Sequence, residues 1–359
     1  MDADELFMQR CIDLALLGAG HVAPNPMVGS VLVHNGSIVG EGYHRRYGEA
    51  HAEVNCVEDA RRRFERRAVT EESFESFAGR CTIYVSLEPC AHFGKTPPCA
   101  DLIIRMKFAR VVVGCRDPFP LVDGKGIEKI RQAGIEVVTG VLEAKCRELN
   151  RRFFTFHLQK RPYIMLKWAA SADGFIAAST DRRSFISNEL SNRLVHRWRA
   201  EETAILIGRK TAELDNPSLN TRLWPGKNPL RLVVDLRSGL PDNLQLFTDG
   251  EPVVLFNYSR SGSEGALQYV QLNKEGSVVR QIAEAAHVLG LQSVIIEGGT
   301  FTLQQFIDEG LWDEARVIRG TTVFLEGGTR APALSNAAFT KDEQLSSDTI
   351  SYFRNKSVL

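Results

Sequence analysis

The chain has 359 residues, 43% of them apolar and 25% charged, with 44 basic side chains set against 44 acidic ones. That length suffices for two domains with cores of their own, and the apolar fraction excludes long disordered tracts, collagen-like repetition and a small disulfide scaffold. No apolar run approaches the roughly 18 residues of a membrane span, and the opening MDADELFMQR carries acids where a signal peptide carries bases; both point to a cytoplasmic protein with no membrane partner. Zero net charge gives no general field for a polyanion, so nucleic acid is not the expected partner either.

Residues 4–17 set Leu6, Phe7, Cys11, Ile12, Leu14, Ala15 and Leu17 on a helical stripe that stops at Gly18 and Gly20. Val28–His34 and Ile38–Tyr43 then flank Asn35-Gly36, a dipeptide suited to the left-handed torsions of a tight hairpin. A helix follows over Glu53–Arg67, its end RRRFERR reading as a solvated face, and TEESFESFAG reads as a polar connection. Cys81–Leu87 is a predicted strand, Ala100–Lys107 a helix, Arg110–Cys115 a strand, Gly126–Ala133 a helix and Ile135–Thr139 a strand. Together these predict a three-layer α/β/α domain. Glu143–His157 reads as one further helix, stopped by the proline of HLQKRP, and the domains are drawn as 1–147 and 148–359.

Composition supports the division. All seven cysteines (Cys11, Cys56, Cys81, Cys90, Cys99, Cys115, Cys146) precede all four tryptophans (Trp168, Trp198, Trp224, Trp312). In the second half Tyr163–Trp168 begins a strand, Ser187 or Asn188 caps a helix to Ala200, and Ala204–Gly208, Leu232–Leu236, Val253–Asn257 and Ser293–Glu297 read as strands. Helices over Val278–Leu289 and Phe301–Glu309 make this a second α/β domain, whose C-terminal strands the pattern does not assign.

An odd number of cysteines without a secretion signal argues for reduced thiols, some of them metal ligands. His51-Ala52-Glu53 is followed by Cys90 and Cys99 in PCAHFGKTPPC. One imidazole and two thiolates suit zinc, and three protein ligands leave the fourth tetrahedral position for water. Lowering the pKa of that water from about 15.7 to about 7 is worth on the order of 12 kcal/mol toward hydroxide. Residues two apart do not share a helix face, so His51 and Glu53 serve one site only from an open first turn. Cys99 likewise stands where a helix begins. Glu53 is then the proton carrier. A structural zinc site would need a fourth ligand, nominally His44, Cys56, Cys81 or His92; Cys11, Cys56, Cys81, Cys115 and Cys146 read as small buried apolar residues.

The strings Asn25-Pro26-Met27-Val28-Gly29, His51-Ala52-Glu53-Val54 and Glu88-Pro89-Cys90-Ala91-His92-Phe93-Gly94-Lys95-Thr96-Pro97-Pro98-Cys99 resemble the pyrimidine deaminase of riboflavin biosynthesis. Most zinc nucleobase deaminases have two residues between the cysteines, so the eight-residue spacer is the specific part. The resemblance implies a cytidine-deaminase-like fold and a diaminopyrimidinone ribosyl 5′-phosphate substrate surrounded by Asn25, His44, His92 and Lys95. The stretch from Glu53 to Cys81 departs from the family as an insertion.

Farther on, Glu297-Gly298-Gly299-Thr300 lies at a strand-to-helix turn, where glycines let a phosphate reach free N–H groups. It is not the six-residue dinucleotide fingerprint. KWAASADGFIA, TAELDNPSLNTR and IIEGGTFTLQQF, however, resemble the reductase domain fused to this deaminase in the bifunctional riboflavin-biosynthesis proteins, whose fold is dihydrofolate-reductase-like. That resemblance implies NADPH-dependent reduction of the ribosyl group to ribityl, and a homo-oligomer. It places Ala169, Phe185, Thr211, Asp215, Gly299, Thr300, Phe301 and Thr302 at NADPH, and Arg183, Arg199, Leu219, Arg222 and Glu297 at the substrate, with arginines as forks for its phosphate. Asp215 is the candidate for proton transfer in the reduction. Phe185 stands where the family commonly has tryptophan. The alternatives are a zinc deaminase of tRNA or single-stranded nucleic acid with a C-terminal binding module, and a zinc-stabilised scaffold.

Overall fold

A computed structural model describes residues 2–67, 72–94, 97–179 and 185–358. It divides into two compact units, Met1–Gln159 and Lys160–Leu359. The division falls later than the expected 147/148, because the helix predicted over Glu143–His157 breaks at Asn150. That side chain is buried and closes two hydrogen bonds on one residue: its Oδ1 accepts from Met27 N at 2.8 Å and its Nδ2 donates to Met27 O at 2.8 Å. Beyond the break, Phe153 and Phe154 pack into the core of the first unit and keep the chain there.

The first unit runs α1 (Ala3–Leu16), β1 (Gly29–His34), β2 (Ser37–Tyr43), α2 (Ala52–Arg67), α3 (Phe74–Ala78), β3 (Thr82–Leu87), α4 (Cys99–Met106), β4 (Arg110–Cys115), α5 (Lys125–Gln132), β5 (Glu136–Thr139), α6 (Glu143–Leu149) and α7 (Arg151–Gln159). Asp2 and Glu5 form a reciprocal capping box on α1. The hairpin turns where the sequence placed it, with Asn35 at φ 49° and Gly36 at φ 73°. The sheet order is β2-β1-β3-β4-β5, antiparallel through β3 and parallel from there to β5. Because side chains alternate along a strand, Leu32, Ile83, Val85, Val111 and Val113 pack with α2, α4 and α5 on one face, while Val31, Val33, Tyr84 and Val112 pack with α1, α6 and α7 on the other. This is the expected three-layer domain.

Two glycines let α2 sink onto the sheet. Gly40 and Gly42 share a face of β2; a Cβ on Gly42 would stand 2.3 Å from Cys56 N and 2.5 Å from Ala52 O, and one on Gly40 2.5 Å from the Ala60 methyl. The insertion, read from sequence as a plain connection, contains α3. Phe74 and Phe77, three residues apart and so on one helix face, stack with Phe64 at ring separations of 5.8 and 5.0 Å, and Phe77 also meets His34.

The second unit runs β6 (Tyr163–Ser171), β7 (Phe175–Ala177), α8 (Glu189–Glu201), β8 (Ala204–Gly208), α9 (Arg209–Asp215), β9 (Leu230–Val234), α10 (Gln245–Thr248), β10 (Val253–Asn257), β11 (Gly262–Glu264), β12 (Leu267–Gln271), α11 (Val278–Val288), β13 (Ser293–Ile296), α12 (Thr300–Asp308), β14 (Glu314–Gly320), β15 (Thr329–Arg330), β16 (Ala337–Leu345) and β17 (Asp348–Asn355). Asn188, not Ser187, caps α8, its side chain accepting from Ser191 N. The main sheet has the order β11-β12-β10-β9-β8-β13-β6-β14-β17-β16, with β7 and β15 forming a separate pair. Strands β12 to β14 are mutually parallel, and β17 and β16 add an antiparallel edge. Apolar clusters cover both faces. No helix among the described residues is long and apolar enough to cross a membrane.

Candidate active sites

In the first unit the ligand-type side chains sit where the backbone changes element. His51 precedes α2, Cys90 follows β3 and Cys99 opens α4. Residues 39 and 48 positions apart thereby meet: His51 Nδ1 lies 3.6 Å from Cys90 Sγ and 3.4 Å from Cys99 Sγ, and all three atoms fall within 4.8 Å of one another. Tetrahedral zinc with Zn–S of about 2.3 Å and Zn–N of about 2.1 Å separates nitrogen from sulfur by about 3.6 Å. The donor set therefore fits zinc in kind, number and spacing. Cys99 N donates to Cys90 Sγ at 3.3 Å, and the Cys90 thiol is pulled well below its ordinary value by the Cys99 thiol and His51 against the cost of burial.

Glu53, in the first turn of α2, is 3% exposed. Burial pushes its carboxyl up and the charge of Cys90 adds to this, while the Cys99 thiol is within hydrogen-bonding reach. A carboxyl so placed can hold a proton. His44 lies beside His51 at a ring separation of 5.3 Å, its Nδ1 3.1 Å from Ala50 O and its Nε2 3.1 Å from the Asn25 amide. Burial lowers its pKa. Asn25 and His44 thus stand together with the ligand cluster, and His92 follows Cys90 by two residues, its ring against Phe119. Lys95 lies outside the described residues.

The sequence reading missed Glu88 and Asp117. Glu88 is buried and gathers main-chain N–H groups of the 117–127 segment. Asp117 is buried as well, and its carboxyl is pushed up to about 7, first by burial and then by neighbouring negative groups. A buried carboxylate in LEPC was the available signal for the first; the second depends on a loop that only the fold brings near.

In the second unit the chain leaving β8 turns to β9 on one side, whereas the chain leaving β13 passes through α12 to β14 on the other. The crevice between the carboxyl ends of β8 and β13 is therefore the topological switch point, where open α/β sheets take ligands. Gly208 and Gly299 begin α9 and α12 there, and neither helix has a side-chain cap. Open N–H groups at these ends suit a pyrophosphate. The walls are close: Thr211 Oγ1 accepts from Gly299 N at 3.1 Å, and a Cβ on Gly208 would meet Thr302 Oγ1 at 2.4 Å. Thr300 and Phe301 form the first turn of α12, with the Phe301 ring largely exposed, and Asp215 ends α9. The residues therefore fit a dinucleotide. Ala169 lies near the carboxyl end of β6 and packs against the apolar cluster that includes Ala212 of α9, and Phe185 is 75% exposed.

Arg199 and Glu297 form a bidentate pair, Nε to Oε1 and Nη2 to Oε2 both at 2.8 Å. Burial alone would raise Glu297, yet Arg199 and Lys167 bring it down to about 2. Lys167 Nζ lies 3.3 Å from Oε2. This lysine escaped the sequence reading, although a cation within the apolar run YIMLKWAAS was a signal. Arg199 Nη1 also donates to Asn220 O at 3.3 Å, and Arg222 Nη1 to Asn220 Oδ1 at 3.1 Å, so both arginines gather around Asn220. His196, one turn before Arg199, is buried beside them, and its pKa is lowered to about 4 by burial and then by the two guanidinium groups. Leu219 is buried with φ 52°. Arg183 lies outside the described residues.

Residues 1–115 match the cytidine and deoxycytidylate deaminase zinc-binding region, and residues 162–350 match the RibD C-terminal domain. The riboflavin biosynthesis protein RibD of Aquifex aeolicus is 38% identical over 331 residues, covering 91% of this chain and 89% of its own. The chain belongs to the RibD family. RibD of Bacillus amyloliquefaciens is 37% identical over 340 residues, covering 92% of this chain and 87% of its own. Among solved structures, the diaminohydroxyphosphoribosylaminopyrimidine deaminase/5-amino-6-(5-phosphoribosylamino)uracil reductase of Thermotoga maritima superposes with a TM-score of 0.86 at 34% identity, over 98% of this chain and 99% of its own. A RibD of Acinetobacter baumannii gives 0.85 at 29%, over 98% of each. The two units are thus a cytidine-deaminase-like domain and a RibD reductase domain, with zinc and NADPH as their cofactors. A nucleic-acid-binding second half is set aside by the same match.

Proposed function

We infer that the chain is a bifunctional enzyme of riboflavin biosynthesis, deaminating a diaminopyrimidinone ribosyl 5′-phosphate and then reducing the ribosyl group of the aminouracil product. The observation that carries this reading is the His51-Cys90-Cys99 donor set beside buried Glu53, in one chain with a reductase domain whose crevice suits a dinucleotide.

Zinc held by His51, Cys90 and Cys99 supplies an acidified water close to neutral pH. Glu53 takes a proton from the attacking water on its carboxylate and returns protons to the ring nitrogen and the departing ammonia, a role that its raised pKa favours. Asn25, His44, His92 and Lys95 orient the pyrimidine and its ribosyl phosphate. In the second unit NADPH supplies the hydride. The open first turns of α9 and α12, with Thr211, Gly299, Thr300, Phe301 and Thr302, cradle its pyrophosphate, and Ala169 and Phe185 flank the remainder. Arg183, Arg199 and Arg222 hold the substrate phosphate beside Leu219, Glu297 keeps Arg199 in place, and Asp215 delivers the proton that accompanies the hydride. On family grounds the reading extends to a cytoplasmic homo-oligomer that takes small molecules and no nucleic acid; sedimentation velocity measures its mass.

The test supplies purified protein with the diaminopyrimidinone substrate and NADPH, and follows ammonia and NADPH together for wild type and Glu53→Ala. Ammonia release followed by NADPH oxidation is expected from wild type, and neither from the variant. Ammonia without NADPH oxidation would sink the reductase assignment; neither signal from zinc-loaded wild type would sink the deaminase reading.

A further inference from the structure

The side chain next to the Pro89-Cys90 corner makes a set of contacts that zinc ligation does not require. Glu88 follows β3, is 4% exposed, and its two carboxylate oxygens receive four main-chain N–H groups. Oε2 accepts from Asp117 N at 3.2 Å and Gly124 N at 2.9 Å; Oε1 accepts from Gly126 N at 3.0 Å and Ile127 N at 3.3 Å. Two of these donors belong to the first turn of α5, where the helix dipole favours an anion. The main chain of Glu88 joins the same arrangement, its N–H donating to Cys115 O at 2.9 Å. Contact is close on the other side too, because a Cβ on Gly126 would stand 1.9 Å from Pro89 O. The 117–127 segment therefore lies flush against the residue that leads into Cys90.

That segment carries the support for His92. Asp117 Oδ1 accepts from Phe119 N at 2.8 Å and so fixes Phe119, whose ring lies 5.9 Å from that of His92 at an angle of 58°. His92 Nδ1 is buried and has no hydrogen-bond partner among the described residues. Packing on Phe119, rather than a hydrogen bond at Nδ1, sets the direction of this ring.

We propose that Glu88 is a positioning residue for the deamination, acting through the 117–127 segment and Phe119 on the orientation of His92 toward the pyrimidine ribosyl phosphate. The proposal rests on the deaminase reading above. A carboxylate is needed because it only accepts: in Glu88→Gln one oxygen becomes an NH2 group, and whichever way the amide turns, two of the four N–H groups then face a donor. The segment draws away from the corner while His51, Cys90 and Cys99 keep their places.

The experiment measures ammonia release, zinc content and reduction of the already deaminated substrate for wild type, Glu88→Gln and Gly126→Ala. Glu88→Gln should raise KM for the diaminopyrimidinone substrate about tenfold and change kcat by less than about threefold, since lost positioning weakens binding more than the chemical step. Zinc content and the reduction should stay at wild-type values. Gly126→Ala presses the same segment off Pro89 O while leaving residue 88 a carboxylate, and should give the same split, which decides the matter where Glu88→Gln does not fold. Wild-type KM in the folded variants, or a fall in kcat together with lost zinc at unchanged KM, would overturn the proposal. Wild type that releases no ammonia fails the deaminase reading itself, a result distinct from either.

Discussion

The two buried clusters of charge are built with opposite excess. Around His51 the protein gathers Cys90, Cys99 and Glu53, all able to become anions, beside one imidazole. Around Glu297 it gathers Lys167 and Arg199, two cations to one carboxylate, with Arg222 near by through Asn220. Buried charge is costly unless it is balanced. The sign of the excess therefore indicates the ligand: a divalent cation for the first cluster, a phosphorylated substrate for the second. A neutral chain can hold two such sites because their excesses are opposite in sign.

The largest effect should come from metal removal. Exhaustive chelation is expected to abolish ammonia release while leaving reduction of the deaminated substrate intact, and ammonia should return with added zinc. Loss of both activities would mean that the units do not work separately. Next, on the proposed function, Arg199→Ala should lower kcat/KM for the reduction on the order of a hundredfold, since a cation is lost beside the substrate phosphate and Glu297 loses its bidentate partner. Deamination in the same protein serves as the control. Glu297→Gln tests the balance itself: it leaves Lys167 and Arg199 buried beside a neutral amide and should destabilise the second unit by about 3 kcal/mol or more in urea unfolding. An unchanged midpoint would show that the pair has no structural weight.

The last effect concerns pH. Asp117, raised from 3.8 to about 7, binds its proton more readily folded than unfolded. Its contribution to stability is thus fully present below about pH 4 and is lost as pH rises through about 7. Asp117→Asn should remove that downward slope from the unfolding curve of the first unit. A slope that persists in the variant would assign it to another group.

Much of this was legible in the sequence because the signals are local. Asn35-Gly36 sets its own torsions, and the His51, Cys90 and Cys99 ligands stand at element ends that propensity and glycine or proline punctuation predict. The reductase site is different in kind. Arg199 and Glu297 are 98 residues apart and Thr211 and Gly299 are 88 apart, so only the strand order brings them together; apart from the glycine turn at 297–300, only family likeness pointed to them beforehand. Strand β16 lies at the sheet edge with an exposed face and polar side chains, which blurs the period-two pattern. The break at Asn150 has its cause in Met27, 123 residues away, and the role of Glu88 lies in backbone donors that carry no residue signature.

The glycine face of β2 has a practical bearing on how this protein tolerates change. His51 and Glu53 ride at the start of a helix whose height above the sheet is set by the missing side chains at Gly40 and Gly42. In a library of random variants scored for growth without added riboflavin, replacements at these two positions should be depleted as strongly as replacements of a metal ligand. A map of intolerance would then show a second stripe, spaced by two residues along one strand, that no inventory of chemically active side chains contains.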